Sequence, residues 1–317
     1  MEPSHPLLTL AAALILTISA CATTPPSNAT TSAPPPSAAA LGSIPVYTLD
    51  GAEHRRPAAI EWHAESHTFF VSTHNDGSIY RGGLDSPVTP IFLHGQPGQE
   101  ADGIRVVGGR IYIGGGIDGE IRVYDLATRQ RIGTFETGTG GQVIDLAVTG
   151  TGDVYVTDGV RPVLWHLTPE QIAAGTGTPE AVVVTPEVPM HASCNLNGIV
   201  ALTDRRLIVG NYTDGLLYRV DLSDSGGRTI VPITGVTVPL AAGMALDGNR
   251  LVIANDAGLS VVELGDDARH ATLVEQIRDP SFRSTAAVAI AGDRYLVANL
   301  ADQGPPPDTV SSVPARR

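Results

Sequence analysis

The sequence has little charge, and positive charge is the scarcer sign. Only 17% of the 317 residues are charged, and 20 Lys and Arg stand against 33 Asp and Glu, which gives a formal net charge of −13. Surfaces that follow nucleic-acid phosphates or adhere electrostatically to anionic lipid need clustered Lys and Arg. The sequence has no such cluster, and we therefore expect no nucleic-acid partner.

Cysteine is also scarce, because Cys21 and Cys194 are the only two. Cys21 follows Ile18-Ser19-Ala20 at the end of an apolar run, residues 7–20, that is too short to span a bilayer comfortably. This segment resembles the lipobox of bacterial lipoproteins, in which the cysteine is lipidated and becomes the new N-terminus. If Cys21 is lipidated, Cys194 has no intramolecular disulfide partner, so the fold must stand without disulfides.

The lipobox resemblance predicts a signal peptide over residues 1–20, a lipid on Cys21 and a location on the extracytoplasmic side of the cell membrane. Residues 21–43 are rich in Thr, Ser, Pro and Ala and carry no charged side chain, which predicts a disordered tether. Residues 1–6 contain no Lys or Arg, so a plain secretory signal cleaved elsewhere remains the alternative.

Aromatic residues make up only 5% of the chain, whereas 35 Gly and 24 Pro favour many short strands and turns. A strand-like segment recurs six times, and its copies begin 42 to 53 residues apart, at Thr68, Arg110, Asp153, Arg206, Arg250 and Arg294. Most copies follow a tight turn with another apolar segment before it, which indicates a hairpin. A glycine turn then leads into a third strand, and a weaker fourth strand follows in most copies.

Four antiparallel strands in roughly 40 to 45 residues is the period of a propeller blade. The sequence therefore predicts an all-β fold: a six-bladed β-propeller over residues 44–317, with four-stranded antiparallel blades around a central channel. Residues 46–49 should close the ring by pairing with the final strands near residues 310–313. The longest interval holds a predicted short helix, residues 168–175. A β-sandwich or β-helix also uses short strands, but neither explains this period.

Propeller geometry predicts which face is functional. The first strand of each blade lines the channel, and the second strand returns to the face on which the first began. We call this the upper face, and the opposite one the lower face. Seven residues are predicted to form a ligand site at the upper channel mouth: Asp102, Asp145, Asp158, His191, Asn195, Asn197 and Asn211. The alternative is that such side chains bond the exposed amides of the turns there.

The repeats from about Pro45 onward, and above all Asn195-Leu196-Asn197-Gly198-Ile199, resemble the SMP-30/gluconolactonase/LRE-like family of six-bladed propellers. The resemblance implies a divalent cation in the channel, Ca²⁺, Mg²⁺, Mn²⁺ or Zn²⁺, that polarises a lactone carbonyl and activates water. Of three metal-binding positions, Asn197 matches the family, whereas Ala58 and Ala242 stand in place of Glu and Asp. Glu61 lies three residues beyond Ala58, which points it to the opposite face of the strand and further down the channel.

His191 and Cys194 lie close together before the fourth inner strand. This pair is either a nucleophile or metal pair, because imidazole can deprotonate a thiol, or a surface histidine beside a half-buried cysteine. No second pair of ligands follows at metal spacing.

The sequence is compatible with three functions. A non-catalytic, monomeric propeller that binds a small ligand or a cell-envelope partner fits the tether, the acidic charge and the missing metal ligands, and it is the preferred prediction. The alternative is a metal-dependent lactone or ester hydrolase of the family type with a rebuilt metal site, although fold alone does not establish activity. The third is a purely architectural envelope protein.

Overall fold

The computed structural model describes residues 44–192, 194–223, 226–300 and 308–315. The predicted signal peptide, tether and lipidated Cys21 therefore lie outside the described residues. In chain order, the strands are β1 (Val46–Leu49), β2 (Pro57–His63), β3 (Thr68–Thr73), β4 (Ile79–Gly83), β5 (Val88–Thr89), β6 (Ile91–Leu93), β7 (Gly103–Val107), β8 (Arg110–Gly114), β9 (Glu120–Asp125), β10 (Arg131–Glu136), β11 (Val143–Val148), β12 (Val154–Asp158), β13 (Val163–Leu167), β14 (Glu180–Val183), β15 (Leu196–Thr203), β16 (Arg206–Asn211), β17 (Leu217–Leu222), β18 (Arg228–Ile233), β19 (Met244–Asp247), β20 (Arg250–Asn255), β21 (Gly258–Leu264), β22 (Ala271–Ile277), β23 (Thr285–Ala291), β24 (Arg294–Asn299) and β25 (Thr309–Pro314).

These strands form six sheets, one for each blade, which confirms the predicted six-bladed β-propeller. Blades one to five each hold four antiparallel strands, whose inner members are β2, β7, β11, β15 and β19. The six second strands of the blades are almost wholly buried, as in Phe69-Phe70-Val71 of β3. Continuous apolar runs of this kind are typical of strands covered on both faces.

Blade six is built from both ends of the described chain. Its order is β23-β24-β25-β1, and β1 runs antiparallel to β25 with Tyr47 opposite Val310. The predicted closure is therefore confirmed. The short strand β5 adds a parallel pairing to β1, with Thr48 opposite Val88.

Helical structure is limited to two short elements in the described part of the chain, a 3₁₀ turn (Ala64–Ser66) and helix α1 (Pro169–Ala174). Helix α1 confirms the predicted insertion in blade three. Its N-terminus is fixed by a capping box between Thr168 and Gln171, and Gly175 ends it in the left-handed conformation. Neither element has the length and apolar character that a membrane-crossing helix requires.

Glycine allows neighbouring inner strands to approach closely at the upper face. A Cβ atom on Gly103, Gly198 or Gly243 would lie closer than 3.0 Å to the inner strand of the next blade. At Gly198 the obstacle is the main-chain carbonyl of Ala242, and at Gly103 it is that of Ile144. The Asn-Gly and Asp-Gly starts of these strands thus have a packing reason in addition to any role in binding.

Candidate functional site

Asp158 stands at the end of β12 on the upper face and is fully buried. Its carboxylate accepts hydrogen bonds from the main-chain N–H groups of Gln142, Val160 and Arg161, at 3.1, 3.0 and 2.8 Å. The Arg161 guanidinium also contacts it at 2.7 Å. Bonds to residues two and three further along are those of a side-chain-capped turn, so Asp158 serves the turn and the start of its blade.

Asn195 and Asn211 have the same kind of role in blade four, and both are fully buried. The Asn195 side chain donates to the carbonyls of Gly159 and His191, and its oxygen accepts from the N–H of His191. The Asn211 amide donates to the Pro189 carbonyl at 3.0 Å. These contacts are the ones that the turn alternative predicts for Asp158, Asn195 and Asn211, and ligand binding by these residues stays a prediction.

His191 is half-exposed, and its Nε2 lies 3.4 Å from a carboxylate oxygen of Asp214. Cys194 is partly exposed and adopts a left-handed φ of 55°. Its carbonyl accepts a hydrogen bond from the Thr213 hydroxyl at 2.6 Å. The carboxylate that lies next to His191 is thus that of Asp214, a residue that the sequence pattern did not single out.

Asp102 belongs to a group that we call the His74 cluster, made of His74, Glu100 and Asp102. His74 Nδ1 lies 2.5 Å from Asp102 Oδ1, and His74 Nε2 lies 3.6 Å from Glu100 Oε1. The cluster joins the end of β3 in blade one to the start of β7 in blade two. Among described residues, no other group of three His, Cys, Asp or Glu side chains brings its ligand atoms within 4.8 Å of one another.

The His74 cluster perturbs its own ionisation. Burial lowers the pKa of His74, but the hydrogen bond and charge of Asp102, together with the charge of Glu100, outweigh it and leave that pKa raised. Burial and the Asp102 charge raise the pKa of Glu100. Both raised pKa values are expected where two carboxylates lie close to each other and to a single imidazole.

Asn197 is partly exposed at the start of β15, and its main-chain carbonyl accepts a hydrogen bond from the buried Thr157 hydroxyl at 2.7 Å. It does not share the His74 cluster. A metal at Asn197 stays a prediction. Ala58 and Ala242, at the other two family positions, bring no carboxylate to the channel.

Asp145 takes part in a second group, the channel triad of Glu61, Arg105 and Asp145. Arg105 Nη1 and Nη2 each lie 3.2 Å from an Asp145 oxygen, and Nη2 also donates to the Ile199 carbonyl at 3.3 Å. Asp145 accepts from the N–H groups of Leu146 and Ile199. Glu61, Arg105 and Asp145, from blades one, two and three, thus each approach or contact a residue of the next blade around the channel.

Glu61 differs from the other two members of the channel triad because its carboxylate forms no hydrogen bond with a described residue. Its carboxylate lies 3.9 Å from Arg105 Nε, which is too long for a hydrogen bond. Among the described residues it has no hydrogen-bond donor. Burial first, and then the Asp145 charge, raise the pKa of Glu61 from its ordinary 4.5 to about 7, although Arg105 acts in the opposite direction.

Two members of the channel triad, Glu61 and Arg105, line a cavity of about 290 Å³ inside the ring of inner strands. Glu61 and Arg105 supply its charged wall, and residues from all six inner strands complete it. Val107, which lines it at the end of β7, is 41% exposed, so the cavity opens toward the lower face. The predicted ligand site lay at the upper mouth, and none of its seven residues lines this cavity.

Sequence reasoning missed three charged or titratable residues of these two groups, namely His74, Glu100 and Arg105, and it placed Glu61 further down the channel without giving it a role. A signal for Arg105 was present, since it interrupts the apolar strand Gly-Ile-Arg-Val-Val of blade two. In an inner strand such a charge must face the channel or another charge. His74 and Glu100 gave no such signal because they lie in loops.

Comparison with known proteins is informative about the fold only. The sequence matches no family model and no curated protein. Its structure is similar to the major Malassezia sympodialis allergen Mala s 1, with a TM-score of 0.62 and 13% identity over 82% of this chain and 93% of that one. It is similar to virginiamycin B lyase from Staphylococcus aureus, with a TM-score of 0.55 and 13% identity over 84% and 97% of the chains.

The WD40 repeats of RRP9 are a further structural relative, with a TM-score of 0.62 and 11% identity over 86% of this chain and 98% of that one. At such low identity the likeness supports a propeller family in general, and membership of the SMP-30/gluconolactonase/LRE-like family stays a prediction. Together with the blade count given above, these comparisons make the chain a six-bladed β-propeller.

Proposed function

We propose that this protein is a non-catalytic binding propeller, lipid-anchored outside the cytoplasm, that holds a small ligand in its channel cavity. The observation that carries the proposal is Glu61, a largely enclosed carboxylate that faces the cavity without a hydrogen-bond donor among the described residues. The Glu61 side chain is 24% exposed, so its carboxylate is accessible to a ligand. A ligand that presents a donor to Glu61 supplies a hydrogen bond that none of the described residues gives it.

The cavity also defines the size and chemistry of the ligand. At roughly 30 Å³ for each water molecule, its 290 Å³ has room for about ten waters. Away from Glu61 and Arg105 the lining side chains are apolar, such as Val200, Met244 and Ile290, but polar atoms make up more of the lining surface than apolar atoms. The Arg105 guanidinium is already engaged by Asp145 and main-chain carbonyls. We infer a small, largely polar compound with an ammonium or hydroxyl group that donates to Glu61.

A ligand titration tests this proposal. A panel of small amines, polyols and lactones is screened by thermal shift, and each hit is measured by isothermal titration calorimetry on the purified protein. We expect a ligand that is recovered unchanged and whose affinity falls at least about tenfold in Glu61→Gln. Glu65→Gln is the matched control, since Glu65 lies four residues away with 85% of its side chain exposed. A ligand that binds Glu61→Gln as tightly as the native protein contradicts the proposal.

The second candidate is a metal-dependent lactone or ester hydrolase, favoured by Asn197 at the family's position. It is the weaker candidate because Ala58 and Ala242 provide no carboxylate at the other two positions. Turnover of any lactone in the same panel, abolished by a chelator and by Asn197→Ala, would establish the hydrolase and overturn the non-catalytic proposal.

A further inference from the structure

We propose that the His74 cluster is a binding site for a divalent transition-metal ion of the Zn²⁺ type, separate from the channel cavity. The cluster brings an imidazole and two carboxylates, which are ligand types that such ions accept, to within 4.8 Å of one another. The imidazole favours Zn²⁺ over Ca²⁺ and Mg²⁺, which prefer oxygen alone.

In each carboxylate of the cluster, one of the two oxygens accepts a hydrogen bond from a group outside the cluster. Glu100 Oε2 accepts from the N–H of Ile117 at 2.8 Å, and Asp102 Oδ2 accepts from the Gln142 side-chain amide at 3.3 Å. The other oxygen of each, Oε1 and Oδ1, faces the His74 ring. Outer hydrogen bonds that leave one oxygen to point inward are the arrangement by which proteins orient metal ligands.

The burial of the His74 cluster and its negative charge both favour a bound cation. The side chains of His74, Glu100 and Asp102 are only 23%, 13% and 8% exposed. The Arg56 charge also acts on His74, but the charges of Asp102 and Glu100 outweigh it. The two carboxylates around a single imidazole thus leave negative charge that water screens poorly. A divalent cation balances that charge.

The present arrangement must change for the ion to bind, because His74 presents Nδ1 to Asp102 and Nε2 to Glu100, and a single ion takes only one ring nitrogen. Binding through Nδ1 requires the His74 ring to shift so that Glu100 Oε1 also faces that nitrogen. Metal–ligand bonds of about 2.0–2.2 Å place the ligand atoms of a tetrahedral site roughly 3.3 Å apart, whereas His74 Nδ1 and Asp102 Oδ1 are 2.5 Å apart. His74 follows the last residue of β3 and is the most exposed member, so it can move outward. Three protein ligands leave the fourth position to water or to a small ligand on the upper face.

Metal titration of the full-length protein after chelator treatment tests the proposal. We expect one equivalent of Zn²⁺ in isothermal titration calorimetry and much weaker binding of Ca²⁺. Glu100→Gln and Asp102→Asn keep the shape of each side chain, and each should weaken Zn²⁺ binding more than about 100-fold. Gln142→Ala removes only an outer hydrogen bond and should cost roughly 10-fold. Circular dichroism checks that each variant is folded.

The control is His166→Ala. His166 also lies between two carboxylates, 2.8 Å from Asp153 and 3.7 Å from Glu180, but 70% of the Glu180 side chain is exposed and the three do not form a compact ligand group. This variant should retain the full equivalent of Zn²⁺. Absence of saturable Zn²⁺ binding in the native protein, or undiminished binding in folded Glu100→Gln and Asp102→Asn, overturns the proposal. Neither result bears on ligand binding at Glu61.

Discussion

At Glu61, the channel changes the ionisation of a single side chain enough to alter the stability of the protein. Its pKa rises from 4.5 in an ordinary setting to about 7, so between these values the folded protein holds a proton that the unfolded chain has released. Stability that depends on this proton is fully present below pH 4.5 and is lost as the pH rises through 7.

Replacing Glu61 by Gln removes the ionisation and should therefore reverse this loss. We expect the free energy of unfolding of Glu61→Gln to rise relative to the native protein between pH 4.5 and pH 7, by up to about 3 kcal/mol, and to level off above that range. Denaturant unfolding across this pH range measures the difference. A difference that stays constant with pH, or that matches Glu65→Gln, contradicts the raised pKa.

The repeat predicts where most of the upper-face residues lie, and their binding roles stay a prediction. Asp158, Asn195 and Asn211 end or precede strands, so their positions followed from the repeat. Whether such a side chain meets a ligand or a turn amide depends on loop geometry that has no sequence period. The contacts of Asp102 and Asp145 lie 28 and 40 residues away, at His74 and Arg105, and separations of this kind are set by blade packing.

At the scale of elements, the start of an inner strand combines two constraints. In Asn197-Gly198, the glycine faces the Ala242 carbonyl of the next blade at a distance that excludes a Cβ atom, whatever Asn197 binds. Part of the resemblance to the SMP-30/gluconolactonase/LRE-like family at this segment is therefore explained by packing around the channel.

Gly198→Ala should lower the free energy of unfolding by about 1–3 kcal/mol, as overpacking does, because the obstacle is main chain and cannot rotate away. Gly83→Ala is the control, since an added Cβ there would meet only the Asp85 side chain. Denaturant midpoints of the two variants provide the comparison. If they coincide, close packing of the inner strands does not explain the glycine.

The strands themselves were predictable because each blade repeats the same apolar pattern, and helix α1 was signalled by its Thr168-Pro169 start and Gly175 end. Strand β5 was not predicted. It has two residues and lies parallel to β1, so it carries neither a period nor a hairpin turn that a sequence pattern could show.

At the scale of the whole molecule, closure of the ring and the proposed attachment to the membrane both involve the N-terminal part of the chain. Strand β1 pairs with β25 and completes blade six, and Cys21 precedes it by a predicted tether. The strand that closes the ring is thus the first strand after the predicted tether.

Cys21→Ala should move the protein from the membrane fraction to the soluble fraction, because the mutant has no thiol to receive the lipid. Cys194→Ala, which leaves the lipobox intact, should remain with the membranes. Fractionation followed by immunoblotting distinguishes the two. Membrane retention of Cys21→Ala equal to that of the native protein would count against lipidation.

Ligand binding at Glu61 is tested most directly by an experimental structure of the native protein with its channel contents resolved, after incubation with the best hit from the ligand panel. We expect that compound in the channel cavity, with its donor group within hydrogen-bond distance of the Glu61 carboxylate. A cavity that holds only solvent while the compound occupies the upper face would contradict it.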